Sequence, residues 1–163
     1  MNHRPANARE SAQGRGNLAA AAALATVAIL IAACSSSSAS TSECSATTTF
    51  PASALSTVTS DGGKLHVSVH GAPSQPLSAG LDCLELDVTD ASTGAAVEGL
   101  SITMTPWMPA MGHGASSTPV VTALGEGRYV LTEVSLVMPG EWQLRTQFSG
   151  PVTDSVEPTF NVD

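Results

Sequence analysis

Positive charge is scarce in this chain. Its 163 residues hold six Lys and Arg against 14 Asp and Glu. Three of the six, Arg4, Arg9 and Arg15, fall near the start. Beyond residue 33 only Lys64, Arg128 and Arg145 face 13 acids, Glu10 being the one acid upstream. That balance argues against nucleic acid and anionic lipid headgroups as partners, and leaves at most a mild attraction for cations. Helical periodicity is missing too: no segment after residue 50 spaces its apolar residues for a helix face. Cysteine numbers three, with no C-x-x-C spacing. There is no Ser/His/Asp order and no pair of carboxylates in a Gly-rich setting, so no positioned nucleophile or base is expected and the chain reads as a non-enzyme.

One apolar run stands out. Leu18 to Ala33, "LAAAAALATVAILIAA", follows the basic leader and ends in small residues, the layout of a secretory signal peptide. It is shorter than a typical spanning helix. "IAAC", Ile31 to Cys34, resembles the bacterial lipobox, which implies acylation of Cys34 and cleavage just before it. Residues 1–33 are therefore expected to be a lipoprotein signal peptide, with acyl chains that each add about 0.8 kcal/mol of membrane affinity per buried methylene. Ser35 follows the cysteine; the absence of Asp there points to the outer membrane, facing the periplasm, in a Gram-negative cell. In any other cell the expected place is the exterior of the cell membrane. Residues 34–49, ending "SSSSASTSECSATTT", are polar and of low complexity and are expected to be a flexible tether.

With Cys34 acylated, Cys44 and Cys83 remain as an even pair in an oxidising compartment. A disulfide between them is the favoured reading, and it would pin the end of the tether to the fold. Free thiols, or Cys83 as an extra metal ligand, are the alternatives.

The folded part is expected over 50–163. "KLHVSVH" from Lys64 alternates, with Leu65, Val67 and Val69 on one face. "LDCLELDVT" from Leu81 puts Leu84, Leu86 and Val88 inward and Cys83, Glu85 and Asp87 outward. "LSITMTP" from Leu100 buries Leu100, Ile102 and Met104. "VVTAL", "RYVLTEV" and "EWQLRTQF" follow, separated by "GEG" and "MPG". Pro158 demotes the last strand, within "SVEPTFNV", to an edge. A period of two with frequent turn signals predicts an all-β chain: an antiparallel β-sandwich of about seven strands. Tyr129, Trp107 and Trp142 are expected to supply most of the large core surface. His66 and His70 share an outward strand face about 13 Å apart, too far to chelate one ion, and are expected to be solvated.

Between the third and fourth of these strands lies "WMPAMGHG", Trp107 to Gly114. Met108, Met111 and His113 fall within six residues. Thioethers are soft donors and imidazole is borderline, a set suited to Cu(I) rather than to calcium, magnesium or manganese. Pro109 restrains the backbone between the methionines, while Gly112 and Gly114 let the loop fold back. Met138, before the "PG" turn, is a further candidate ligand. The competing reading is plain packing, with Trp107 and Met108 plugging the end of the sandwich.

"WMPAMGHG" followed by "LGEGRYVLTEVSLVMPGEWQLRTQF" resembles the YtkA-like family of bacterial extracytoplasmic domains, related to the FixH-like proteins. The shared residues are the W-M-P-x-M-G-H-G run, a Gly-x-Tyr strand opening and M-P-G-x-W, over about 77–148. The resemblance implies an immunoglobulin-like sandwich at a membrane surface. FixH-like relatives are associated with assembly of copper-containing oxidases, so the resemblance also implies a copper-enzyme partner; a lipid anchor and tether depart from the FixH-like pattern. Two functions follow as expectations. One is a membrane-anchored lipoprotein that binds or delivers Cu(I) through Met108, Met111 and His113, with Met138. The other is a metal-free module that docks on a protein of the cell envelope through Trp107, since Trp and Met are favoured at interfaces.

Overall fold

The computed structural model describes Cys44, Ser45 and residues 48–163, which belong to one compact unit. The expected signal peptide, the lipidation site Cys34 and most of the expected tether lie outside the described residues.

Among the described residues ten strands form: β1 (Ser56–Thr59), β2 (Leu65–Ala72), β3 (Gly80–Asp90), β4 (Ser101–Met108), β5 (His113–Gly114), β6 (Val120–Gly125), β7 (Arg128–Leu136), β8 (Gly140–Ser149), β9 (Asp154–Val156) and β10 (Thr159–Val162). They build two antiparallel sheets, ordered β1-β2-β3-β7-β6 and β10-β8-β4-β5, with β9 also on β8. The subsets β2-β3-β7-β6 and β4-β8-β10 reproduce the two sheets of an immunoglobulin-like sandwich. Each of the seven strands read from alternation is present. The additions are short: β1, β5, and a division of the last strand into β9 and β10. That division falls at Glu157–Pro158, where Pro has no N–H for the ladder.

Alternation makes the core. Leu65, Val67 and Val69 of β2 and Leu84, Leu86 and Val88 of β3 are buried on one sheet, facing Ile102 and Met104 of β4 and Trp142, Leu144 and Phe148 of β8 on the other. Each such side chain, fully buried, contributes about 1.5–3 kcal/mol. Tyr129 uses its polar tip as well: its hydroxyl donates to the Val97 carbonyl at 2.9 Å and accepts from the Leu100 amide at 3.1 Å. The β3–β4 connection is thereby tied to β7.

In β3 and β7 the register shifts between Asp82↔Val134 and Leu84↔Leu131, leaving an extra residue on β7. Glu133 takes up the slack with φ of 60°. This bulge keeps both Leu131 and Val134 buried.

Three expectations are corrected. Trp107 is not a core residue. It is half-buried on the outer face of its sheet, where the Arg145 guanidinium lies 4.5 Å from its ring centroid. The inward parity of β4 belongs to Met104, Pro106 and Met108, so Trp107 must face the other way. His70 is 6% exposed rather than solvated. The segment before β1 covers that face of β2: Leu55 donates its amide to the Val69 carbonyl, and the His70 ring bonds the Pro51 carbonyl at 2.9 Å. His66 is exposed as expected, beside Thr59 at 3.0 Å. Finally, β4 does not stop at Pro106. The Pro106 carbonyl accepts from Ala115, on the β5 side. A strand residue's N and C=O point the same way, so the missing N–H also falls on the β5 side and not in the ladder to β8, and the strand continues through Met108.

Cys44 and Cys83 form a disulfide. It fastens the covering segment to the start of β3. Cys83 is buried and is not a free ligand.

Candidate metal-binding end of the sandwich

The strand directions gather the sulfur-bearing residues. β4 ends at Met108, β7 ends just before Met138, and β8 begins just after it. The register pairs the start of β3 with the end of β7, and the end of β4 with the start of β8. Met108, the β4–β5 hairpin, Met138 and the first residues of β3 therefore share one end of the sandwich.

The hairpin geometry follows from its residues. Met108 and His113 are directly paired across β4 and β5, which places both side chains on the same side of the sheet. Four residues turn the chain, and the Gly112 amide donates to the Met108 carbonyl at 3.0 Å. Gly112 has φ of 67°, a conformation open to glycine at little cost.

The donors differ in exposure. Met108 is 5% exposed and belongs to the core cluster. Met138 is half-buried against that cluster. Met111, at the hairpin tip, is 60% exposed. His113 is exposed, with Nδ1 at 3.2 Å from the Gly114 carbonyl. The fold thus brings Met108, His113 and Met138 to one end and holds Met111 out at the rim. Two contacts set the positions of the methionines. The Trp142 indole donates to the Met138 carbonyl at 2.9 Å. Gly140 makes room for Met108, since a Cβ there would come within 2.8 Å of the Met108 methyl.

Among the described residues no three His, Cys, Asp or Glu side chains gather in a metal-binding group. A site built from those side chains alone is therefore not formed among the described residues. The thioethers suit a soft cation, and the buried position of Met108 would shield it from water.

One group was not singled out from the sequence. Asp82 is 1% exposed, and its Oδ2 has no hydrogen-bond partner among the described residues. Desolvation pushes its pKa up from 3.8 to about 6. Parity would have found it: Asp82 alternates with Leu84, Leu86 and Val88, so it is an acid on an otherwise apolar inward row.

A family model described as YtkA-like matches residues 64–147. The chain belongs to the YtkA-like family. The matched span of this YtkA-like domain runs from the start of β2 into β8, and so includes the hairpin, Met138 and Asp82. No curated protein matches the chain. Among solved structures, FetP of uropathogenic E. coli strain F11 is similar at 11% identity and a TM-score of 0.44, over 67% of this chain and 92% of that one.

Proposed function

We propose that this YtkA-like protein is a lipid-anchored, extracytoplasmic copper-binding domain, not an enzyme. Cys34 carries the anchor, and the tether lets the domain reach a partner in the envelope. That partner is a protein that takes up copper, such as a copper enzyme under assembly. Met108, Met111 and His113 are the ligands, with Met138 assisting. The observation that supports this most is the convergence of Met108, its cross-strand partner His113 and Met138 on one end of the sandwich. Bound copper would be a transferable cargo. The buried Met108 and the half-buried Met138 hold the inner side of the site, while the exposed Met111 is placed where an incoming donor would compete for the ion. Thioethers have no proton to lose, so they remain ligands at acidic pH.

Copper titration tests this reading. Wild-type protein should take up one Cu(I) per chain under reducing conditions, and the double variant Met108→Leu/Met111→Leu should take up none. Uptake that survives in the double variant eliminates the site.

A second reading is favoured by one observation, the half-exposed Trp107 on the outer face, stacked by Arg145. There the domain is a metal-free docking module. It predicts no copper uptake and a protein partner lost on Trp107→Ala.

A further inference from the structure

Asp82 is the buried group that the fold leaves unused. Its Oδ2 is sealed from solvent and has no hydrogen-bond partner among the described residues. A buried carboxylate is costly unless something compensates it, and native chains leave few such groups unmatched. The cations of the described domain are engaged elsewhere. Lys64 donates to the Thr153 carbonyl, Arg128 pairs with Glu85, and Arg145 lies on Trp107 and bonds Gln143. None of the three is paired with Asp82.

Its placement is specific. Asp82 sits on the inward row of β3, directly opposite Val134 of β7. Met108 sits on the inward row of β4, in the facing sheet. The start of β3 and the end of β4 lie at the same end of the sandwich, as the registers above require. Asp82 therefore stands on the inward row at the end where Met108 and Met138 stand.

We propose that Asp82 is an additional ligand of the copper site, an anionic oxygen donor that lets this end of the sandwich hold Cu(II) as well as Cu(I). The inference rests on the copper reading above and extends it to the second oxidation state. Carboxylate and imidazole suit Cu(II), whereas thioethers suit Cu(I). Asp82, His113 and the methionines together offer both classes of donor. A single carboxylate does not make a calcium or magnesium site, since those ions take six or more oxygens. In this arrangement the cation neutralises the buried charge.

The test uses the purified full chain in detergent, with copper as the probe. Cu(I) affinity is measured by competition with bicinchoninate under reductant. Cu(II) affinity is measured by competition with a chelator of known strength, and the bound ion by electron paramagnetic resonance. Asp82→Asn should weaken Cu(II) binding by about tenfold or more and change the Cu(II) spectrum, while Cu(I) affinity stays within about threefold. Its metal-free melting temperature should be no lower than wild type, which separates ligation from a folding defect. Asp82→Glu, which keeps the charge, should restore Cu(II) binding in part. Unchanged Cu(II) affinity and spectrum in Asp82→Asn overturn the inference, as does a wild-type protein that takes no Cu(II). If Met108→Leu/Met111→Leu abolishes Cu(I) uptake while Asp82→Asn changes nothing, only the role of Asp82 falls. If the double variant still binds Cu(I), the copper reading itself falls.

Discussion

Removing one oxygen atom, in Tyr129→Phe, tests how the two sheets are held together. The Tyr129 side chain is 2% exposed, and its hydroxyl serves two backbone groups at once, the Val97 carbonyl and the Leu100 amide. Val97 and Leu100 are themselves buried, so water cannot readily replace the lost partner. Phenylalanine keeps the ring and its packing, so no large cavity opens. What remains is the cost of leaving one buried donor and one buried acceptor unsatisfied, about 1–3 kcal/mol for each. Partial relaxation of the connection trims the sum, and a loss of about 2–4 kcal/mol is expected. Urea denaturation followed by tryptophan fluorescence measures it. With a slope of about 1.5 kcal/mol per molar, the midpoint should fall by about 2 M at an unchanged slope. A loss below about 0.5 kcal/mol would refute the reasoning, because it would mean the two backbone groups find other partners without strain.

Other perturbations read separate parts of the fold. Reducing the Cys44–Cys83 disulfide frees a sequence separation of 39 residues; loop entropy predicts a loss of about 4 kcal/mol, visible as a lower melting temperature in dithiothreitol. The Asp154 pKa is lowered from 3.8 to about 2: desolvation raises it, but the Ser60 hydroxyl and the amides of Gly62, Ser155 and Lys64 together outweigh that. A depressed carboxylate stabilises the fold above its unfolded pKa and loses that contribution as pH falls through the folded value. Wild-type stability should therefore drop between about pH 4 and pH 2 more steeply than that of Asp154→Asn, as read by urea midpoints across that range. Asp82 has the opposite sign. Its raised pKa gives stability that is full below the unfolded value and lost as pH rises through about 6, so metal-free Asp82→Asn should be more stable than wild type at pH 7, by about 3 kcal/mol in thermal or urea unfolding. Arg145→Ala removes the cation from the Trp107 ring; it should cost about 0.5–1 kcal/mol and alter Trp107 fluorescence while leaving copper uptake unchanged, because Trp107 and Met108 face opposite sides of β4.

The sandwich was legible because its strands alternate without ambiguity. Leu65, Val67 and Val69, or Leu84, Leu86 and Val88, can be buried in a strand in only one phase, and burial of one face fixes that phase. The Cys44–Cys83 pairing followed from counting thiols once Cys34 is assigned to the anchor. The same local reading failed at Trp107. Its size suggested the core, whereas its parity with Thr103 and Thr105 puts it outside. It failed again at His70, which an upstream segment covers from the outside.

By itself, then, the sequence determined which side of each strand is apolar, where the chain turns, and which donor types fall in one short run, since all of these are set within a few neighbouring residues. Only the tertiary structure decided that Met108 lies inside while Met111 lies outside, that Met138 arrives at the same end from another strand, and that the carboxylate of Asp82 is enclosed there without a partner. Those facts depend on how two sheets face each other across residues far apart in the chain, and no local pattern carries that information.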